Sequence, residues 1–383
     1  SSRKRRMPSI PPRRFPPLRG LLITPTRQGP RQAGISPGRP ATSPSALNVE
    51  KVRLIEQCCR HSALKCKASW FIDALMSFVK PGTTRSAFTL IHISDFHLCR
   101  PAGIGFSRLL NKRAFSYLSW KVRRRHEHRM EVLRALTRAV QAVSCDQIAV
   151  TGDLTQLALP AEFEDARLHL QHLGPPPNVF VVPGNHDALV AAAWEDGYAR
   201  WVDYLAPDDA ETGSPPGFPT LRVRGSVALI GISTAQPTRP LSAAGSIGAA
   251  QLARCAEVLS ETARRNLYRV LLIHHPPVPN AVSYHKRLTD AESFLPLLRR
   301  HGAELILHGH SHRRSRTDLP GPAGGVPVLG VSSASANSRD PIHQAVFRVF
   351  RITPTSSGWL TICQDHALDH DSGLFIPEPE ISL

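Results

Sequence analysis

No stretch of the sequence approaches the roughly 20 consecutive apolar residues that a membrane-spanning helix requires, which argues against an integral membrane protein and leaves a peripheral association open. Cysteine is scarce. The seven thiols (Cys58, Cys59, Cys66, Cys99, Cys145, Cys255 and Cys363) are odd in number, scattered and without a CxxC pair. That pattern indicates neither a disulfide framework nor a zinc ribbon, and fits reduced thiols in a cytosolic setting. Acidic residues are missing where basic ones gather. Residues 1–90 hold 17 Lys/Arg against three acids (Glu50, Glu56 and Asp73), a net of +14 out of the whole-chain +17. The remaining 293 residues, with 30 basic and 27 acidic, carry only +3. The excess charge belongs to a leader, so a general affinity of the fold for polyanions does not follow from it.

What is present divides the chain. Residues 1–45 contain ten prolines and no acid, too little apolar surface to offset the entropy of ordering, and are expected to be disordered. Such a segment reads as a nucleic-acid arm, as an organelle transit peptide, or as sequence ahead of a true start, since Met76 lies just before the first convincing strand. The expected organisation is a basic Pro/Arg-rich extension over 1–85, a folded domain over 86–365 and a C-terminal tail over 366–383.

Within the domain, strand-like and helix-like segments alternate. Phe88–Ile93, Gln147–Val150, Asn178–Val182, Val270–Ile273 and Glu304–Leu307 read as buried strands, and Leu221–Ile232 as a hairpin turning near Gly225. His128–Val143, Ala161–Leu173, Trp194–Tyr204, Ile247–Leu259 and Ala291–Arg300 read as helices, and strands at Val326–Val331, Ala345–Ile352 and Trp359–Cys363 close the domain. This alternation with a β-rich end predicts an α/β fold, a two-sheet β-sandwich flanked by helices.

Potential metal ligands fall at the carboxyl ends of those strands, where the loops of an α/β sheet gather to build sites. Asp95 and His97 follow the first strand, Asp153 the second and Asn185 the third; His274, then His310 and His312, follow two later ones. Any one of these pieces is uninformative, because the chain has 18 histidines and Gly-Asp or Gly-Asn pairs are common in turns. The ordered set is different. Seven side chains exceed one tetrahedral centre, whereas two ions sharing a carboxylate would use them all. Two-metal sites of this kind hydrolyse phosphate esters, and the thiolate-free mixture of imidazole and oxygen suits Mn, Fe or Zn.

Together, Asp95-x-His97, Gly152-Asp153, Gly184-Asn185-His186-Asp187, His274-His275-Pro276-Pro277 and Gly309-His310-Ser311-His312 resemble the motif series of the calcineurin-like metallophosphoesterases, over about Phe88 to Ile362. The resemblance implies a four-layer αββα fold. It implies that Asp95, His97, Asp153 and His312 hold one divalent ion and that Asp153 bridges to a second, completed by Asn185, His274 and His310. It also implies attack on phosphorus by a metal-bridging hydroxide, with His186 steadying the transition state or protonating the leaving oxygen. His275 is expected behind His274 or at the substrate, and Asp187 either orients His186 or closes the turn.

Asp187, where protein-serine/threonine phosphatases resemble Gly-Asn-His-Glu, disfavours a protein substrate, and His186 disfavours the usual lipid-A-precursor pyrophosphatase branch. The series is most similar to bacterial cyclic-nucleotide phosphodiesterase-like members, which implies a phosphodiesterase. One segment departs from that pattern. Residues 108–129 carry eight Lys/Arg and one acid, Glu127, interleaved with Phe115, Tyr117 and Trp120. Lys112 and Arg113 are expected to contact substrate. Residues 105–125 could meet an anionic membrane surface, grip a phosphate-bearing soluble substrate, or form a solvated helix start. A cytoplasmic protein, peripheral at the inner membrane surface or free, is expected, without an obligate protein partner. The alternatives are a membrane-associated pyrophosphatase or phosphodiesterase acting on a lipid-linked substrate, and a nucleic-acid-binding nuclease. His126-Glu127-His128 lacks zincin spacing and is expected on a helix surface.

Overall fold

A computed structural model describes residues 87–100, 111–210 and 213–383. The expected extension over 1–85 and the first part of the basic segment lie outside the described residues. Thirteen strands build two mixed sheets among the described residues. The first comprises β1 (Phe88–Ile93), β2 (Gln147–Val150), β3 (Val179–Val181), β10 (Val346–Thr355), β11 (Gly358–Asp369) and β12 (Leu374–Pro377), in the order β12-β11-β10-β1-β2-β3, with β13 (Ile381–Ser382) also on β11. The second comprises β4 (Thr220–Arg224), β5 (Val227–Ile232), β6 (Tyr268–Ile273), β7 (Leu305–His308), β8 (Ser315–Gly321) and β9 (Gly324–Gly330), in the order β4-β5-β6-β7-β9-β8.

Strand periodicity sorts the side chains into layers, because successive residues point to opposite faces. On β6, Val270 and Leu272 enter a central layer with Leu90, Phe180, Leu307, Leu329 and Phe350, contributed by both sheets. Their neighbours Leu271 and Ile273 face outward, against Cys255 and Leu259 of the helix Ala249–Arg264 and Phe294 and Leu298 of the helix Ala291–His301. On the other side, Ile91 and Ile93 meet Leu133, Leu136 and Val140 of the helix Met130–Gln141 and Phe163 and Leu170 of the helix Pro160–Leu173. Both helix pairs present apolar residues at three- and four-residue spacing, as a helix covering a sheet must. The result is the expected two-sheet sandwich flanked by helices.

Two expectations are corrected and one strand is added. The segment 366–383 is not a tail: β11 runs on to Asp369, β12 and β13 pair back onto it, and Phe375 packs against Phe347 at 5.8 Å between ring centroids. Trp194–Tyr204 is not one helix but 3-10 turns at Trp194–Asp196 and Tyr198–Trp201 followed by one α-turn, interrupted at Gly197. Strand β8, with exposed polar residues and Pro320, carried no apolar alternation to reveal it, and forms by pairing with β9.

The parallel register aligns the strand ends that matter. Ile93 pairs with Val150 and Val150 with Val181, while Ile232 pairs with Ile273 and Ile273 with His308. Each following loop therefore starts at one edge of its sheet. Because Phe350 is fully buried between the sheets, Phe350→Ala is expected to cost about 3–5 kcal/mol in urea denaturation. Leu374→Ala on the exposed edge strand should stay within about 0.5 kcal/mol.

Candidate active site and metal centre

The loops after β1 and β2 are laced together by their backbones. Asp95 N–H donates to the Gly152 carbonyl at 2.9 Å, His97 N–H to Asp153 at 3.0 Å and Leu98 N–H to Leu154 at 2.8 Å. Five of the seven candidate ligands, Asp95, His97, Asp153, His310 and His312, have φ between 50° and 63°. This left-handed conformation is costly for residues bearing a Cβ and gathers at functional sites. Glycines allow the loops to approach: a Cβ on Gly184 would lie 2.2 Å from Asp153 Oδ1, and one on Gly309 would lie 2.4 Å from Asp95 Oδ2.

Two groups of ligand atoms result, each within 4.8 Å: Asp95, His97, Asp153 and His312, and Asp153, His274 and His310. Asp153 belongs to both. Its Oδ2 lies 3.4 Å from His274 Nε2 and 4.0 Å from His97 Nε2, while its Oδ1 accepts the His186 backbone N–H at 2.7 Å. Asn185 joins the second group, with Oδ1 3.2 Å from His274 Nε2. All seven candidate ligands are thus brought together, six of them buried and His312 partly exposed.

The donor set fits divalent cations. Asp95 Oδ1 is buried and accepts no hydrogen bond among the described residues. It lies 3.2 Å from His312 Nε2 and 3.8 Å from His97 Nε2, which are themselves 2.9 Å apart. Two imidazole nitrogens and a carboxylate oxygen converging on one point is a cation-binding arrangement. Partners behind the rings select the atoms that face inward. His274 Nδ1–H donates to the Thr151 carbonyl at 2.6 Å, which turns Nε2 toward Asp153 and Asn185. His310 Nε2–H donates to the Lys286 carbonyl at 2.8 Å, leaving Nδ1 as its ligand atom.

Charge states divide the imidazoles. Burial, then neighbouring imidazoles, hold His97 and His310 well below the usual histidine range, in the neutral form that ligates. Burial opposes a charge on His274 too, but the Asp153 and Asp95 carboxylates outweigh it and bring its pKa up to about 9. Burial likewise opposes ionisation of Asp153, yet His274 and His186 hold it well below the usual carboxylate range. The centre is thus arranged around positive charge beside Asp153.

His186 lies next to that carboxylate, and its Nδ1–H donates to the Gln156 carbonyl at 2.7 Å. Asp187 closes the turn: its carboxylate accepts from Thr155 N–H and Gly184 N–H, both at 2.9 Å, and burial with Asp153 nearby raises its pKa to about 6. His275 is buried behind the site. Its Nε2–H donates to the Ala243 carbonyl at 2.9 Å, its Nδ1 accepts from Thr234 at 2.7 Å, and its ring packs 4.3 Å from that of His310. Burial, then His274, takes its pKa down to about 3. Lys112 is half-buried, with Nζ donating to Thr238 Oγ1 at 2.5 Å and the Ser242 carbonyl at 2.7 Å. Arg113, expected at the substrate, is corrected: it turns into the fold, where its guanidinium donates to the Leu157 and Ala158 carbonyls at 2.8 and 2.7 Å.

His128 is the residue that sequence reasoning misplaced. Instead of lying on a helix surface it packs with its ring 4.4 Å from that of His97, and the nitrogens of His97, His128 and His312 lie within 4.8 Å of one another. Its Nδ1 is 2.9 Å from Ser335 Oγ and 3.2 Å from Ser333 Oγ, and Ser333 Oγ donates to the Asp95 carbonyl at 2.6 Å. A pairing of His128 with Ala336 brings it there, a long-range contact that no local pattern announces. With Asp153, Asn185, His186, His310 and His312, it lines an open cleft of about 750 Å³.

If these residues form the centre, the chain incubated with manganese and desalted should retain two ions by elemental analysis, and Asp153→Asn fewer than one. Because a ligand that binds only the folded state stabilises it, chelation should lower the wild-type melting temperature and leave that of Asp153→Asn nearly unchanged.

The family model of the calcineurin-like phosphoesterases matches residues 88–314. A probable cyclic nucleotide phosphodiesterase of Synechococcus sp. is 27% identical over 232 residues, covering 60% of this chain and 79% of that protein. Among solved structures, a dimetal phosphatase from Danio rerio is 12% identical with a TM-score of 0.48, covering 76% of this chain and 98% of that one. A purple acid phosphatase from yellow lupin (Lupinus luteus) seeds is 12% identical with a TM-score of 0.49, covering 78% of this chain and 54% of that one. With the sandwich, the gathered ligands and a family match over more than half of its length, the chain belongs to the calcineurin-like phosphoesterases.

Proposed function

We propose that the chain is a phosphodiesterase in which Asp95, His97, Asp153 and His312 hold one divalent ion, and Asp153, Asn185, His274 and His310 hold a second. The observation that carries this reading is the sharing of Asp153 by both ligand groups, with the His186 N–H on its other oxygen. Mn, Fe or Zn suits the donors. When bound, the ions would supply Lewis acidity toward a phosphoryl oxygen and lower the pKa of water at the site.

The protein's own groups do the rest. His186 Nδ1–H is held by the Gln156 carbonyl, which turns Nε2 to the cleft; a second proton, carried on Nε2, is the one passed to the leaving oxygen in general-acid catalysis, after which His186 is left neutral with its Nδ1–H in place. Asp187 fixes the turn that carries His186, and His275 fixes the ring of His310, so both are positioning residues rather than substrate contacts. Lys112 acts on the same footing, holding the 238–242 loop beside the cleft. The Synechococcus relative is a probable cyclic nucleotide phosphodiesterase; the cleft of about 750 Å³ also admits larger diesters.

The full chain with manganese should hydrolyse bis(p-nitrophenyl) phosphate, and Asp153→Asn should not. His186→Ala should lower kcat by roughly 100- to 10,000-fold while elemental analysis still finds two ions. An unchanged kcat in that variant would remove His186 from the mechanism, and a wild type no faster than Asp153→Asn would end the phosphodiesterase reading.

A further inference from the structure

We infer that the rim of the cleft is a docking surface for an anionic lipid bilayer, and that the substrate is an amphiphilic phosphoester resident in it. The inference rests on the phosphoesterase reading and names its substrate class. Six large apolar side chains are more than half exposed among the described residues, and five of them, Phe115, Leu118, Val122, Leu241 and Tyr284, are 53–80% exposed on three segments that border the cleft. The sixth, Leu374, is on β12.

The three segments join one another. The first contains the helix Arg113–Ser119 and its continuation to Glu127; it contributes Ser119, His126 and Glu127 to the cleft wall. Lys112, at its start, bonds to Thr238 and Ser242 of the second segment, which contributes Ala243. Ala243 N–H in turn donates to the His285 carbonyl at 2.8 Å, in the third segment, which contributes Lys286. Phe115, Leu118 and Val122 recur at three- and four-residue spacing, one stripe of a helical segment.

Charge chooses the occupant. Residues 111–127, 236–243 and 281–287 together contain nine Lys/Arg against one acid, Glu127, and Lys121, Arg125, Arg239 and Lys286 are exposed. Apolar side chains interleaved with basic ones, on a protein without a helix long and apolar enough to cross a membrane among the described residues, match the chemistry of interfacial binding: alkyl groups in the acyl boundary, cations at anionic headgroups. A second copy meeting this face through two-fold symmetry would bring like charges together. Nucleic acid would reward the cations and two aromatics but leave Leu118, Val122 and Leu241 in water, since backbone tracking and base stacking make no use of aliphatic groups. A phosphoryl group at headgroup level then stands at the mouth of the cleft.

The test is co-sedimentation of the full chain with phosphatidylcholine vesicles, with or without roughly 30% phosphatidylglycerol, at about 0.15 M salt. The variants are F115S/L118S/V122S and L241S/Y284S, which leave every charge of the chain in place, including those of residues 1–85. Wild type should partition onto the anionic vesicles, and each variant should lose more than tenfold in partitioning while hydrolysing soluble bis(p-nitrophenyl) phosphate at the wild-type rate. A fluorogenic alkyl phosphodiester embedded in the same vesicles should be cleaved at least tenfold faster by wild type than by either variant. Vesicle binding unchanged in both variants overturns the inference, as does conversion of a wild-type dimer to monomer with no effect on vesicles. Absence of bis(p-nitrophenyl) phosphate hydrolysis by wild type would instead strike the phosphodiesterase reading, and the vesicle-binding comparison would still decide the docking surface.

Discussion

One buried carboxylate organises this site. Asp153 sits at the end of β2, in the left-handed conformation, and its two oxygens have separate duties: Oδ1 accepts the His186 N–H, and Oδ2 faces His274 on one side and His97 on the other. Nearly every constraint nearby serves that placement. Gly184 has no room for a Cβ because Asp153 occupies it. His274 comes from the other sheet, yet its Nδ1 is anchored on the Thr151 carbonyl two residues before Asp153, so the two sheets are tied together at the carboxylate. A charge without water costs several kcal/mol unless compensated, and the compensation here is the ring of imidazoles that would share cations with it.

The strain in these loops is borne by the layers beneath. Five non-glycine ligands in left-handed backbone cost of order 1–3 kcal/mol each, and they persist because the strands that launch them are locked on both faces. The central layer from Leu90 to Phe350 and the two helix-covered layers leave those strands no freedom to relax. Stability lies in the sandwich and chemistry in its loops, which is the arrangement that lets a rigid scaffold hold reactive groups in register.

Much of this was legible from residue order. The buried strands announced themselves as short apolar runs, and each ligand followed one of them, so parallel alignment alone brought Asp95, Asp153 and Asn185 to one edge and His274 and His310 to the other. Side-chain direction was not legible. Lys112 and Arg113 are adjacent and chemically alike, but Lys112 braces the loop at Thr238 while Arg113 caps carbonyls at Leu157 and Ala158. His128 escaped for a related reason: it reaches His97 only because the chain at Ala336, some two hundred residues on, pairs with it. Strands β12 and β13 are short edge strands whose partner supplies the hydrogen bonds, and sequence carries little trace of a partner.

The basic character of the chain also divides by location. Most of the +17 belongs to residues 1–90. What concerns the enzyme is the small, mostly basic rim, where cations alternate with exposed apolar side chains around the cleft. The central claim, that two ions share Asp153, is tested most directly by anomalous X-ray diffraction from manganese-loaded crystals. Two peaks roughly 3.5–4 Å apart, with Asp153 Oδ2 between them and His97, His312, His274 and His310 around them, are expected; a single peak, or two peaks that do not share Asp153, would contradict the account.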